Sequence, residues 1–392
     1  MRLTVILRAL PLIAVLAATA PAHGHDMAAM PHAPRADLGA SAAFASDGRL
    51  WAVSKAGEHV VARASADAGR TWTAPLAVNR EPEAIAADGD SRPKIAAGPA
   101  GELYVTWTHP LAKPYTGEVR FARSLDGGQS FGPPLTVHAD RQEITHRFDA
   151  LTVTGEGKVL VAWIDKRDLE AAKARKQGYR GAAVYFAVSD DRGASFRGDY
   201  RAGEHSCECC RIALAADADG SVTALWRHVF PPDIRDHAIA RLFADGRAET
   251  PARATFDDWR VDACPHQGPS LAVDGAGVRH AVWFALGAHP GVHYGQLVAG
   301  RVEGQRILGG AGAAHADVAA AGQRVAVVWK EFDGNATRLR AELSEDGGKN
   351  WRALELAGTA GPSGQPQVLA HDGRFLAFWN TAEQQLLTVP LP

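Results

Sequence analysis

Residues 212–226, IALAADADGSVTALW, carry the pattern on which the fold prediction depends. Apolar and polar residues alternate on both sides of Asp219-Gly220, and the segment ends at Trp226. Alternation with a period of two around a Gly-containing turn is typical of a β-hairpin with one buried face. The segment therefore predicts two antiparallel strands joined by a tight turn.

The same hairpin pattern recurs along the chain. It ends at a tryptophan in five other places, which are Trp107, Trp163, Trp283, Trp329 and Trp379. A seventh copy, residues 42–54, has Ser54 in the tryptophan position. Two more short strands follow each hairpin, and four strands at a period of ~40–50 residues are typical of propeller blades. The sequence thus predicts an all-β protein with one β-propeller domain over residues 38–392. We predict seven four-stranded blades, with six as the alternative, in a ring closed by residues near Leu38.

A second motif, Ser-x-Asp-x-Gly-x-Ser/Thr-aromatic, lies between the predicted third and fourth strands. Its four copies are residues 65–72, 124–131, 189–196 and, with Asn350 in the Ser/Thr position, 344–351. An Asp side chain accepts backbone N–H bonds in a tight turn, and Gly adopts positive φ. We therefore expect the motif carboxylates to be structural and not catalytic: Asp67, Asp126, Asp191 and Asp346. The motif resembles the Asp-box (BNR) repeat of the sialidase superfamily, which implies a propeller with Asp-box turns.

The resemblance also implies a sialidase-like activity on glycans, but the catalytic residues do not carry over. Family enzymes hold the sugar carboxylate with three arginines and use a Tyr/Glu pair with an Asp acid/base. In the family, the first of these arginines lies in a Phe/Tyr-Arg-Ile-Pro segment. This sequence has no such segment, and the most similar stretch is Ser91-Arg92-Pro93. Arg147 and Arg211 are candidate sugar-binding arginines by position only. We predict no catalytic residues, and a glycoside hydrolase or glycan-binding propeller is the alternative function.

The first 22 residues predict a secretory signal peptide. Arg2 and Arg8 give a positive start, Ala9 to Ala18 is apolar but too short to span a bilayer, and Ala20-Pro21-Ala22 is a small-residue cleavage site. A buried N-terminal helix is the alternative. We therefore expect a periplasmic or secreted protein. The formal net charge of −2 gives no excess of basic residues for binding nucleic acid. No other segment predicts membrane insertion.

Residues 23–37 predict a flexible tail, and its His and Met residues suggest a copper site. The candidate ligands are His23, His25, Met27, Met30 and His32. After cleavage His25 would be the third residue of the mature chain. The free N-terminal amine, two backbone amides and the His25 imidazole would then offer four nitrogen ligands in one plane, a set that suits Cu(II). Thioethers suit Cu(I). The alternative is an unselected leader that contains histidines by chance.

All four cysteines lie at the starts of two adjacent blades. Cys207, Cys209 and Cys210 follow His205, and Cys264 precedes His266 in the next unit. Equivalent positions in neighbouring blades should meet at the mouth of the central channel. Three interpretations stay open, which are disulfides in an oxidising compartment, a soft-metal site with His ligands, and a redox pair.

Other polar residues occupy the same position in the repeat or the loops that follow the tryptophans. These predicted channel-mouth residues are Arg92, His109, His146, Arg147, Asp165, Arg211, His228 and His315. Two groups of soft ligands in one exported propeller favour a metal-binding protein that handles copper. A metal ion is therefore the expected partner, and docking of another envelope protein is a third interpretation.

Overall fold

A computed structural model describes residues 37–261 and 265–392 of the chain. These residues form seven antiparallel sheets, and in each sheet the strands pair in chain order. Six sheets have four strands and the last has three. The seven-bladed β-propeller predicted from the repeat is confirmed.

The first three blades contain twelve strands. Their bounds are β1 (Ala40–Phe44), β2 (Leu50–Ala56), β3 (His59–Ser65), β4 (Leu76–Ala77), β5 (Lys94–Ala97), β6 (Leu103–Pro110), β7 (Gly117–Ser124), β8 (Leu135–Thr136), β9 (His146–Val153), β10 (Val159–Asp165), β11 (Ala182–Ser189) and β12 (Arg197–Ser206). A short α-helix, α1 (Arg167–Ala174), lies between β10 and β11. No helix in the described part of the chain is both long and apolar enough to cross a bilayer.

The remaining four blades contain fifteen strands. Their bounds are β13 (Ala213–Ala216), β14 (Val222–Arg227), β15 (His237–Leu242), β16 (Ala252–Arg253), β17 (Ser270–Val273), β18 (Arg279–Ala285), β19 (Gly291–Val298), β20 (Arg301–Leu308), β21 (Ala313–Ala321), β22 (Arg324–Phe332), β23 (Thr337–Ser344), β24 (Arg352–Thr359), β25 (Gln367–His371), β26 (Arg374–Thr381) and β27 (Gln385–Leu391).

The first strand of every blade faces the axis of the ring. Each of these strands contacts the first strands of both neighbouring blades, and β1 contacts β25 to complete the circle. We call the face on which the first strands begin the top face. Because the strands are antiparallel, the connections between blades and the loops between second and third strands also open on the top face. Residues from all seven blades can therefore meet there.

The repeat tryptophans form the cores between blades. Trp107, Trp163 and Trp283 are almost fully buried. Each indole N–H nevertheless donates to a carboxylate, at 2.7 Å to Glu83, 2.8 Å to Asp165 and 2.7 Å to Asp257. Buried tryptophans usually need such a partner, because an unpaired polar group in the core is costly. The hairpin pattern thus places an aromatic anchor in each of these blades.

The four Asp-containing motifs form similar turns on the opposite face. In the first, Asp67 accepts bonds from the Thr71 N–H at 2.9 Å and the Thr71 hydroxyl at 2.7 Å. These bonds lower the pKa of Asp67 to about 2. Asp126, Asp191 and Asp346 accept the equivalent bonds. At Gly128 φ is +83°, and a Cβ would lie 2.2 Å from the ring of Trp51 in the preceding blade. Only glycine fits this turn without displacing its neighbour.

Side chains of the last blade hold the start of the first. The Asn380 side chain donates to the Leu38 carbonyl at 3.1 Å, and Gln367 accepts the Ala42 N–H at 2.9 Å. Leu38 thus contacts the last blade, as the ring-closure hypothesis expects, but it precedes β1 and lies in no strand.

Candidate functional site

Three cysteine thiols meet on the connection between blades 3 and 4. The Sγ atom of Cys207 lies 3.8 Å from those of Cys209 and Cys210, too far for an S–S bond of about 2.05 Å between these pairs. The three sulfurs lie within 4.8 Å of one another, and all three residues are buried. In the described part of the chain this is the one cluster of three or more His, Cys, Asp or Glu side chains that could hold a metal ion.

Two arginines lie close to this thiol cluster. The Arg235 guanidinium approaches Cys207 Sγ at 4.0 Å. The hydrogen bond with Cys207 raises the pKa of Cys210 well above its ordinary value, and burial adds to this shift, while the charge of Arg227 opposes it. Thiolates are the form that binds metals, and the neighbouring positive charges would stabilise them once a metal has displaced the protons.

A polar network crosses the axis beside the thiol cluster. Its centre is Asp90, which lies in a 3-10 turn, Gly89–Ser91, and is 4% exposed. Asp90 accepts from the Arg211 N–H at 3.1 Å, the Arg211 Nη1 at 3.2 Å and the Gly268 N–H at 2.9 Å. Burial raises the pKa of Asp90, but the charge of Arg211 and the hydrogen bonds that Asp90 accepts outweigh this effect and leave the pKa lowered. Asp90 is therefore a buried carboxylate that joins blades 2, 4 and 5.

Gln365 extends this axial network to blades 6 and 7. Its amide oxygen accepts from Arg92 at 2.7 Å and from Arg211 at 3.1 Å, and its Nε2 donates to His315 Nδ1 at 2.9 Å. Burial and the charge of Lys330 lower the pKa of His315 to about 3, so the imidazole is neutral and can accept this bond. Three of the predicted channel-mouth residues, Arg92, Arg211 and His315, therefore converge on the same side chain, Gln365.

The network occupies Arg211, a candidate for sugar binding by sequence position, together with Arg92 of the segment nearest to the family's first arginine. Arg211 also donates to the carbonyls of Pro269 and Ala316, at 2.9 and 2.6 Å. Arg92 donates through Nε to Ser41 at 3.2 Å. Both side chains are buried, and Arg211 donates from all three of its guanidinium nitrogens. Burial therefore leaves both guanidinium groups poorly accessible to a sugar carboxylate.

Arg147 is different. It is half-buried at the start of β9, and its guanidinium makes no hydrogen bond or salt bridge to any residue of the described ranges. Its Nε is buried without an acceptor, and its Cζ lies 5.2 Å from the centre of the adjacent Phe148 ring. Burial lowers the pKa of Arg147, and the nearby groups Asp88 and Tyr115 oppose that shift. An arginine remains charged under all such conditions, so this cation lacks an anionic partner in contact.

The loop between β6 and β7 places an aromatic ring beside Arg147. Tyr115 is 79% exposed and has φ of +64°. The Thr145 hydroxyl holds its carbonyl at 2.7 Å, and Gly117 pairs with Thr145 in an isolated bridge. Thr145 is two residues before Arg147, so the loop lies directly over the start of β9. The result is an exposed ring and a guanidinium without an anion in contact, on the same part of the top face.

His146 and Asp165, also predicted at the channel mouth, lie inside blade 3. His146 stacks on His138 with ring centres 3.9 Å apart, and its Nε2 lies 3.5 Å from Asp140 and 3.7 Å from Asp165. Asp165 accepts from Trp163 and Arg167. Burial, aided by His146, lowers the pKa of His138 to about 3. These side chains form a buried polar cluster and are not accessible to a large ligand.

The other predicted histidines lie apart from the thiol cluster. The His109 ring contacts the Ala84 carbonyl at 2.8 Å. The His205 ring contacts the Arg180 carbonyl at 3.1 Å and lies beside Tyr179. Burial lowers the pKa of His228 to about 4. His266 is exposed with φ of +52°. The group of possible metal ligands formed by the three cysteines includes neither His205 nor His266.

Several predicted ligands lie outside the described residues. These are Cys264 and the tail residues His23, His25, Met27, Met30 and His32. The expectation that Cys264 joins the other thiols, and the copper site of the tail, therefore stay predictions.

Sequence reasoning missed two residues of the top face. Asp90 stands two positions before Arg92, and an acid so close to a predicted channel arginine could have suggested an ion pair. Tyr115 follows Pro114 in the loop after Trp107, a turn signal that could have placed the aromatic ring at a loop tip.

Comparisons with known proteins support the fold. No family model and no curated protein matches the chain. Among solved structures, an ulvan lyase of polysaccharide lyase family PL25, bound to -[GlcA(1-4)Rha3S]-, has a TM-score of 0.54 at 8% identity, over 89% of this chain and 92% of that one. The Trypanosoma rangeli sialidase has a TM-score of 0.47 at 12% identity, over 90% of this chain and 53% of that one. The Penicillium chrysogenum α-L-arabinanase has a TM-score of 0.45 at 11% identity, over 90% and 92%. The chain is thus similar in fold to the ulvan lyase.

Proposed function

We propose that this protein binds an anionic glycan on the top face, at Arg147 and Tyr115. The observation that carries the proposal is the Arg147 guanidinium, which is half-buried and has no anion in contact within the described ranges. A partly desolvated charge without a partner is unfavourable unless a ligand supplies one. Carboxylate and sulfate groups fit a guanidinium through two parallel N–H bonds.

Tyr115 adds the second element of such a site. An exposed aromatic ring can pack on the apolar face of a sugar while its hydroxyl stays in water. The ring is 79% exposed, so it is available to a ligand. The acidic glycan bound in the ulvan lyase, which has a similar fold, supports the choice of an anionic sugar. Exo-sialidase action is not part of the proposal, because Arg92 and Arg211 are engaged in the axial network.

The Arg147→Ala variant tests this proposal. We expect it to weaken the binding of a glucuronate-containing oligosaccharide about 10- to 100-fold, because a hydrogen-bonded charge contributes about 1.5–3 kcal/mol. Isothermal titration calorimetry at fixed salt would measure the change. Arg180→Ala is the matched control, since it removes an exposed arginine of the same face and should leave affinity almost unchanged. Equal losses in the two variants, or equal binding of a neutral oligosaccharide, would contradict a specific site.

We propose soft-metal binding as a second function, carried by the thiol cluster of Cys207, Cys209 and Cys210. Three sulfurs within 4.8 Å of one another suit a thiophilic ion, and thiolates select Cu(I) or Zn(II) over Mg²⁺ or Ca²⁺. Copper is our preferred ion because the predicted tail adds ligands that suit it, and because we expect the protein to be exported. The likeness in fold to the ulvan lyase supports the glycan-directed function more than this one.

Copper-dependent stabilisation would test the thiol cluster. With Cu(I) at about 100 times the dissociation constant, we expect about 2.7 kcal/mol of added stability. Cys209→Ser should remove this gain and leave the melting temperature of the metal-free protein nearly unchanged. Mg²⁺ is the control ion and should have no effect. If the cluster instead serves a structural disulfide with Cys264, Cys264→Ser should cost about 2–5 kcal/mol in metal-free protein, and copper should not stabilise the unaltered chain.

A further inference from the structure

The third strand of blade 7 has an open edge among the described residues. There β27 pairs with β26 alone, whereas the third strand of every other blade also pairs with a fourth. Pro390 pairs with Leu376 of β26 and has no N–H, which fits a position whose backbone groups face away from β26. Such positions repeat every second residue, so the N–H and C=O groups of Leu386 and Thr388 also face outward. This edge is therefore able to bind a further strand.

A cleft of about 640 Å³ lies beside this edge and is bordered on its other side by blade 1. Its lining residues include Leu386, Thr388, Val61, Arg63 and Trp72. The two sides also touch, since the Thr388 hydroxyl donates to the Ala68 carbonyl at 2.8 Å. Side chains alternate between the two faces of a strand. A strand added to β27 would therefore place every second side chain in this cleft.

The lining of the cleft has an excess of positive charge. Lys55, Arg63 and Arg70 line it, against the single acid Asp37, and Lys55 already pairs with Asp37 at 2.6 Å. Arg63 is half-buried and forms no hydrogen bond or salt bridge with any residue of the described ranges. Arg70 is exposed near Asp67 but forms no salt bridge with it. A partly desolvated cation is stabilised by an anionic partner, so the cleft favours a ligand with acidic side chains.

The other face of an added strand would lie against apolar side chains. Leu387 and Val389 pack against the core between blades 6 and 7, as do Leu354 and Leu356 of β24. All four are only partly buried. Apolar side chains laid over them would remove more of their surface from water. The edge is thus complementary to a strand in which acidic and apolar residues alternate.

We propose that the edge of β27 binds an extended segment of another protein in which acidic and apolar side chains alternate. The acidic side chains would contact Arg63 and Arg70, and the apolar ones would cover Leu387 and Val389. Main-chain bonds to a sheet edge and pockets for alternate side chains are an established mode of peptide recognition. A second copy of the chain fits less well, because β27 contains no acidic residue and a second cleft would add two more arginines. This surface lies between blades 7 and 1 and needs neither of the proposed sites.

Binding of a labelled peptide to the full chain tests this interaction. The probe is a short peptide of alternating glutamate and valine, followed by fluorescence anisotropy at fixed salt. We expect saturable binding that Arg63→Ala weakens about tenfold or more, because the variant removes a charged donor. Arg80→Ala is the matched control and should leave affinity almost unchanged, since Arg80 is an exposed arginine that follows β4 of blade 1 and does not line the cleft.

Two altered peptides test the same edge in the unaltered chain. The glutamate–valine peptide with N-methylated amides keeps every charge but cannot donate to the C=O groups of β27. We expect its affinity to be at least about tenfold lower, because pairing at a sheet edge depends on main-chain bonds. A peptide of alternating lysine and valine keeps the backbone but reverses the charge, and it should not bind.

Three results would overturn the proposal. The first is that the glutamate–valine peptide does not bind, or binds no better than either altered peptide. The second is protection of the Leu386 and Thr388 amides from hydrogen exchange that rises with protein concentration in the absence of peptide, which would assign the edge to a second copy of the chain. The third is strong protection of these amides at every concentration without peptide, which would assign the edge to another segment of the same chain.

Discussion

Asp90→Asn is expected to lower the free energy of unfolding by about 3–5 kcal/mol, the cost of breaking a buried ion pair from one side. The substitution preserves size but replaces one carboxylate oxygen with an amide that cannot accept from Arg211. The Arg211 charge then stays buried without its counter-ion, at a point where blades 2, 4, 5, 6 and 7 are joined. Urea denaturation followed by circular dichroism would measure the loss.

Asp245→Asn is the matched control for Asp90. Asp245 pairs with Arg247 on an exposed turn, and such surface pairs contribute little. We expect a change within about 0.5 kcal/mol. A similar small change for Asp90→Asn would mean that the axial network does not stabilise the ring.

The stabilising effect of the Asp90 carboxylate should also depend on pH, which provides a second test of the same prediction. The folded-state pKa of Asp90 lies below the ordinary value of 3.8. The carboxylate therefore contributes full stability above pH 3.8, and this contribution is lost as the pH falls toward the folded-state pKa. The stability difference between the unaltered chain and Asp90→Asn should accordingly narrow below about pH 4.

Trp163→Ala is expected to cost about 3–5 kcal/mol, as for other buried tryptophans replaced by alanine. The side chain is fully buried in the core between blades 2 and 3. Its loss leaves a cavity beside Tyr185 and His138 and removes a hydrogen-bond donor from Asp165. The same denaturation experiment would measure the effect. Trp72→Ala removes a half-buried tryptophan and should cost clearly less; equal losses would contradict the anchoring role of the repeat tryptophan.

The fold could be predicted from the sequence because it depends on local patterns that repeat. Alternation around a Gly-containing turn defines each hairpin, and a single blade cannot bury both of its faces, so the blades must stack in a ring. Seven copies of the pattern thus gave the correct number of blades.

The site could be predicted only in part. The repeat position predicts that Arg92, Arg211 and His315 lie near one another, because equivalent positions in neighbouring blades lie side by side around the axis, and in the structure each of them binds Gln365. It could not show that Gln365 would be their common partner. His146 and Asp165 were expected at the channel mouth and instead lie in a buried cluster, because stacking on His138 and the bond to Trp163 hold them within the blade.

The sequence by itself therefore determined the architecture, the positions of the hairpins and the proximity of Cys207, Cys209 and Cys210, since all of these follow from short-range order. The tertiary structure alone decided which charged groups have partners. Asp90 neutralises Arg211 from a blade more than a hundred residues away in sequence, whereas Arg147 has no such partner in the described residues. Electrostatic pairing depends on distances between side chains of different blades, and those distances exist only once the ring has closed.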